Sequence, residues 1–291
     1  MSIVRTLMRG SMVPIEIRRA IVGPRRPTWS VQLETLAEVM RQSAKVGPLM
    51  PVAAYRKFID APRPKTPPMR ATSLKKTTLG SVPCAEITTD NVDDRVIFYI
   101  HGGGYSTGSL GSHRDLVSRL CLDAKMRVVF PIYRLAPEHP FPAGLDDVYA
   151  VYRALLETGV DPNKIAFCGD SAGGGLCIAL AYRLRDANEP LPGAIALISG
   201  WLNLASDGDT MQSNSKYDYV LRGAMITCAK RYAPKSQWKR SARLAAVRRS
   251  QRTSPLLVHA GEVETLLSDN RRFAEKRLPP ASTPSSKCGP T

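Results

Sequence analysis

The spacing of apolar residues changes along the chain. Over residues 1–60 it is helical: behind Ser30, a suitable N-cap, Val31, Leu33, Leu36, Val39 and Met40 form one apolar stripe. That stripe predicts an amphipathic helix with its apolar side turned inward. Pro62 to Pro68 reads as a proline-rich linker. From Thr72 the period shortens. Thr72–Thr78 and Val82–Thr88 flank Leu79-Gly80-Ser81 and read as a hairpin. Arg95–Ile100, Arg127–Phe130, Lys164–Cys168, Ala194–Ser199 and Leu256–His259 read as strands, and Leu116–Asp123, Ala143–Glu157, Ala172–Arg185 and Glu264–Lys276 as helices. Leu145, Val148, Tyr149, Tyr152 and Leu155 share one face of the second helix, and Leu176, Ala179, Leu180 and Leu184 one face of the third. Residues 200–253 show no clear period. Strands alternating with helices of this length predict an α/β fold, with a mostly parallel sheet, right-handed crossovers and helices on its faces. The expected organisation is a helical segment and linker over 1–70, a core over 71–277 and an aperiodic tail over 278–291, with an insertion in the core at about 200–253.

The 291 residues, 43% of them hydrophobic, suffice for one substantial core with an appended segment. No apolar run approaches the ~18 residues of a membrane span. The start, Met1-Ser2-Ile3-Val4-Arg5, has no apolar stretch followed by a small-residue cleavage site, so a cytoplasmic protein is expected. The net charge of +16 is unevenly spread. Lys230 to Arg252 contains no acid, and Arg63 to Lys76 is basic and proline-bearing. Neither stretch carries a nucleic-acid motif, so no nucleic-acid partner is expected. Contact with a membrane surface is compatible with the charge but is not predicted. Cys84, Cys121, Cys168, Cys177, Cys228 and Cys288 show no metal-ligand spacing, and no metal or cofactor is expected. Cys121, Cys168 and Cys177 sit in apolar elements and read as small core residues.

Gly169-Asp170-Ser171-Ala172-Gly173-Gly174 lies between a strand and a helix. Gly-x-Ser-x-Gly in that setting puts a serine on a sharp turn with its hydroxyl exposed. Serine is a poor nucleophile at neutral pH. It needs a base to take its proton, a carboxylate to orient that base, and N–H donors for the oxyanion formed on attack. His101-Gly102-Gly103-Gly104-Tyr105, directly after the 95–100 strand, can supply the donors from bare glycine N–H groups. Gly103, Gly104 and Ala172 are the expected three. A Gly/Ser turn and a flexible glycine loop are the bland alternatives. Two such motifs on successive strand-to-helix turns favour the chemistry.

With Tyr133-Arg134-Leu135-Ala136-Pro137-Glu138-His139-Pro140-Phe141-Pro142-Ala143 added, the chain resembles the bacterial hormone-sensitive-lipase family of esterases, of the α/β-hydrolase fold, over roughly residues 70 to 276. The resemblance implies an acyl-serine mechanism on small to medium acyl esters, structural polar contacts for Arg134 and Glu138, and a cap role for the N-terminal helices. It implies an acid three positions after the glycine of Leu256-Leu257-Val258-His259-Ala260-Gly261-Glu262-Val263-Glu264. Glu264 is therefore chosen and Glu262 is its rival, while Asp269 is expected on the surface.

The family's histidine should come after the acid, past a further strand, and none does. His101 belongs to the glycine loop, His113 and His139 precede the serine, and His259 lies within a strand. The last strand and the histidine loop therefore read as missing. Residues 277–291, RLPPASTPSSKCGPT, can be given codons that spell AAAGVDAVVEVWTD in another frame, which resembles the family's next strand and suggests a frameshift. The basic stretch Lys235 to Thr253 departs from the family too, where Asp-Pro and Ser-Pro-Leu are usual, and a shifted reading could supply something closer. Three functions are compatible with these residues: an ester hydrolase impaired by loss of its base, a catalytically inactive derivative, or a ligand-binding protein on the same scaffold, as in the plant gibberellin receptors that resemble this family. Oligomeric state is left open.

Overall fold

Among the described residues, seven strands form one sheet in the order β1-β2-β4-β3-β5-β6-β7. They are β1 (Ser73–Leu79), β2 (Val82–Thr88), β3 (Val96–Ile100), β4 (Arg127–Pro131), β5 (Ile165–Asp170), β6 (Ala194–Ile198) and β7 (Leu256–His259). The computed structural model describes residues 3–61, 64–234 and 254–277. β1 and β2 form the expected hairpin and β2 runs antiparallel to β4, while β4, β3, β5, β6 and β7 are mutually parallel.

Every residue of β3 is buried, as befits a parallel strand covered on both faces. Alternate side chains feed two cores. Val96, Phe98 and Ile100 pack with Val148, Tyr152 and Leu155 of α6 (Ala143–Glu157) and with Leu176 and Leu180 of α7 (Ala172–Asp186). Ile97 and Tyr99 pack with Val117 and Cys121 of α5 (Leu110–Ala124) on the opposite face. Each large apolar side chain removed from water contributes about 1.5–3 kcal/mol. α5 begins at Leu110 rather than at the expected Leu116. Its first turn, Leu110-Gly111-Ser112-His113, lacks an apolar period, but Ser109 and Ser112 form a reciprocal capping box.

The N-terminal helices are α1 (Ile3–Val22), α2 (Val31–Val46), α3 (Val52–Ile59) and α4 (Pro67–Arg70), the last beginning inside the expected linker. Ser30 caps α2 by accepting the Leu33 N–H at 3.1 Å. The facing of α2 corrects the expectation. Leu33, Leu36 and Met40 are exposed, while Glu34, Thr35 and Ala37 are buried. The Glu34 carboxylate lies 2.6 Å from Arg18 and 3.3 Å from Arg19 of α1 and also accepts the Arg25 N–H. A carboxylate with three such donors is held inward, and hydropathy spacing does not register an ion pair.

Among the described residues, three further helices come after β6: α8 (Thr210–Ser213), α9 (Arg222–Tyr232) and α10 (Leu267–Arg277). α10 starts at Leu267 rather than at the expected Glu264, because the Glu264 and Leu267 N–H groups bond Gly261 O and Glu264 O in turns. Among the described residues no helix is long and apolar enough to cross a membrane. The basic stretch 235–253 and the tail 278–291 lie outside the described residues.

Candidate active site

β5 ends at Asp170 and α7 begins at Ala172, so Ser171 alone makes the turn. Its backbone has φ 48° and ψ −119°. A side-chain-bearing residue held there costs about 1–3 kcal/mol, which the surrounding bonds must offset. The Ser171 N–H donates to Ile198 O at 3.0 Å, and its carbonyl accepts from Trp201 N–H at 2.6 Å and Gly175 N–H at 3.2 Å. Ala172 opens α7, where the helix offers its N–H no acceptor and the helix dipole favours negative charge. Gly173 is required for close approach: a Cβ there would overlap the Ile100 carbonyl oxygen. The first turn of α7 thus sits directly on the end of β3.

The glycine loop leaves that same end of β3. Ser106 N–H, Thr107 N–H and the Thr107 hydroxyl converge on Gly103 O at 3.2, 2.9 and 2.8 Å. This reversal needs φ 116° at Gly103, with the Thr107 carbonyl filling the space a side chain would take. His101 lies beneath the loop, stacked on Tyr133 at 4.4 Å and Phe130 at 5.4 Å. Tyr133 Oη donates to His101 O at 2.7 Å. Burial, with His113 nearby, pushes the His101 imidazole down to about 4. Its Nδ1 lies 2.7 Å from Gly102 O, a pure acceptor, so the neutral ring carries its proton on Nδ1. His101 supports the loop from below.

Asp170 joins the two motifs. Its carboxylate accepts Tyr99 Oη at 2.8 Å and the Gly102 N–H at 2.9 Å, and His113 Nε2 lies 3.4 Å away. Burial would raise this carboxyl, but His113, Tyr99 and Gly102 hold it below the usual range. Burial would likewise lower His113, but Asp170 and the Ser109 carbonyl raise it.

The loop after β7 separates the two candidate acids. Glu264 N–H bonds Gly261 O at 3.1 Å, and the half-buried Glu264 side chain lies against Gly261. There it meets Ser199, next to Ile198 at the end of β6, whose carbonyl receives the Ser171 N–H. Burial raises the Glu264 carboxyl despite the Ser199 hydrogen bond. Glu262 points outward to Arg26 at 3.2 Å. Asp269 is buried rather than on the surface, near Asn203 and Arg272, and burial raises its carboxyl. α10 packs its N-terminal turn under the 203–210 loop, a contact that helical period alone cannot reveal.

His139 and His259 are exposed, and His113 faces Asp170. Among the described residues no histidine hydrogen-bonds Ser171, and no three His, Cys, Asp or Glu side chains could hold a metal ion. Arg134 pairs with Asp147 at 2.7 Å and Glu138 with Arg56 at 2.8 Å, both structural contacts. Ser199, Arg56 and the buried Asp218, which accepts Thr265 N–H at 2.7 Å beside Glu264, were not foreseen. None belongs to a local motif, and no spacing signal could have found them.

The α/β-hydrolase fold family matches residues 97–282. An esterase of Acinetobacter venetianus is 36% identical over 200 residues, covering 68% of this chain and 66% of that protein. An acetyl-hydrolase of Streptomyces hygroscopicus is 37% identical over 210 residues, covering 71% and 69%. The chain thus spans about two thirds of the length of these relatives. The crystal structure of an esterase from the bacterial hormone-sensitive lipase family superposes with a TM-score of 0.76 at 33% identity, covering 86% of this chain and 84% of that one. The esterase EstE5, soaked with p-nitrophenyl butyrate, gives 0.76 at 30% identity, covering 84% and 83%. With its serine turn and glycine loop on adjacent strand ends, the chain belongs to the α/β-hydrolase fold family, among the esterases of the hormone-sensitive lipase group.

Proposed function

We propose that the chain is a serine carboxylic-ester hydrolase acting on small to medium acyl esters through an acyl-serine intermediate. The observation that carries this is Ser171, held at positive φ at the head of α7 with Asp170 bonded to the first peptide of the glycine loop. Ser171 Oγ attacks the ester carbonyl carbon. The N–H groups of Gly103, Gly104 and Ala172 receive the oxyanion, each worth on the order of 3 kcal/mol in the transition state. The C–O bond breaks, the alcohol leaves carrying the proton that Ser171 gave up, and water adds to the acyl-serine, releasing the acid and returning a proton to Ser171 Oγ. Glu264 is the carboxylate that would orient a histidine base. Residues 1–70 act as a cap over a core of 71–277.

No described histidine is placed to take the Ser171 proton. Turnover by the residues described is therefore low, at a residual ~10³–10⁴-fold over water from oxyanion stabilisation and binding. The same observation favours, as a second reading, a protein that binds esters without turning them over. Purified protein is treated with a fluorophosphonate and assayed with p-nitrophenyl butyrate. Labelling confined to Ser171 with slow hydrolysis is expected. Labelling or hydrolysis that persists in Ser171→Ala would overturn the assignment, and tight ester binding without acylation would establish the second reading.

A further inference from the structure

The glycine loop is tied down at three of its peptides by its own neighbourhood. Gly102 N–H bonds Asp170, Gly103 O receives Ser106, Thr107 and the Thr107 hydroxyl, and Tyr105 O accepts Ala136 N–H at 2.9 Å. Ser106 is different. It is fully buried, its hydroxyl has no hydrogen-bond partner, and its carbonyl is taken by a residue of another element. That residue is Arg56 of α3. Its Nε donates to Ser106 O at 2.8 Å and its Nη2 to Ala136 O at 2.8 Å. Its two Nη atoms also grip the Glu138 carboxylate at 2.9 and 2.8 Å. One guanidinium thus bridges the glycine loop and the 133–138 loop beside it, and fastens both to the N-terminal helices.

The geometry points to Arg56 as the positioning residue of the oxyanion site, a clamp by which the N-terminal helices set the conformation of the glycine loop. The inference rests on the proposed use of Gly103 and Gly104. The chemistry selects arginine. Only a planar fork with donors on three nitrogens can meet two carbonyls and a bidentate carboxylate at once, and a lysine ammonium cannot span them. Glu138 aims the fork rather than touching the loop. Without Arg56 the carbonyls of Ser106 and Ala136 lose these donors, and the turn that presents Gly103 and Gly104 is free to relax.

The test uses the full chain as wild type, Arg56→Met, Arg56→Lys and Glu138→Gln. Three quantities are read: kcat and KM for p-nitrophenyl butyrate, the rate of fluorophosphonate labelling, and amide exchange over residues 103–107. In Arg56→Met, kcat and labelling rate should fall about 10–100-fold with KM nearly unchanged, as expected for a misplaced catalytic group. Exchange at 103–107 should rise. Arg56→Lys should recover part of the rate, and Glu138→Gln should lose less than Arg56→Met. Wild-type kcat and exchange in Arg56→Met would overturn the proposal. So would a fall in kcat that tracks lost thermal stability equally in all three variants. Should the wild type itself fail to react at Ser171, the functional reading falls, and exchange at 103–107 alone decides the clamp: faster in Arg56→Met supports it, unchanged overturns it.

Discussion

The Asp170 carboxylate accepts the Gly102 N–H at 2.9 Å, and that bond ties the residue before the candidate nucleophile to the first peptide of the glycine loop. The serine turn and the glycine loop are therefore positioned against one another rather than separately. His113, carried by α5, completes the arrangement from the other side of the carboxylate.

That pairing sets a pH dependence. His113 is raised above its ordinary 6.5, so its contribution is complete below about pH 6.5 and fades as pH rises through the folded value. Asp170 is held below 3.8, so its contribution is complete above about pH 3.8 and fades as pH falls through the folded value. Tyr99, the Gly102 N–H, His101, the Ser109 carbonyl, the Ser112 hydroxyl and Asp60 also act on the pair. Urea denaturation of wild type and His113→Gln should show the largest stability difference between these limits and a smaller one at high pH. A difference that grows with alkalinity would contradict the assigned charges.

Glu264 and Glu262 are separated by a single substitution each. Glu264→Gln should lower hydrolysis of p-nitrophenyl butyrate whenever a histidine base is available. Glu262→Gln removes only an exposed pair with Arg26 and should change stability by less than about 1 kcal/mol. Greater loss of activity in Glu262→Gln than in Glu264→Gln would reverse the assignment.

Gly173→Ala should destabilise the fold by about 1–3 kcal/mol, because the new methyl would overlap backbone oxygen at the end of β3 rather than a side chain that can move. Thermal melting measures it. The variant should also react more slowly with fluorophosphonate, since α7 must shift away from the glycine loop.

The two sides of α2 should respond in opposite ways to substitution. Leu36→Ser and Met40→Ser should each change stability by no more than about 0.5 kcal/mol, as expected for exposed positions. Glu34→Ala should cost about 1–3 kcal/mol, because Arg18, Arg19 and the Arg25 N–H lose a buried acceptor. Chemical denaturation of the three variants tests the facing, and a reversed order would restore the apolar-inward orientation.

The sheet, the hairpin and the helix Ala143–Glu157 were legible because each answers to a local period, and the two glycine-bearing motifs because their residue types and flanking elements are contiguous. α5 was legible only from Leu116 onward, where apolar spacing begins; its polar capped start was not. The inward turn of Glu34, the burial of Asp269 against Asn203 and the reach of Arg56 to Ser106, Ala136 and Glu138 all depend on partners remote in the sequence.

By itself the sequence determined the α/β class, the serine turn and the glycine loop, since the turn at Ser171 and the bareness of Gly103 and Gly104 are properties of residues in immediate succession. Only the tertiary structure decided which acid meets Ser199 at the end of β6, which face of α2 is covered and which carbonyls Arg56 reaches. Those outcomes depend on pairing buried charges and carbonyls with donors from distant elements, and a desolvated polar group takes whichever partner the packed chain brings within reach.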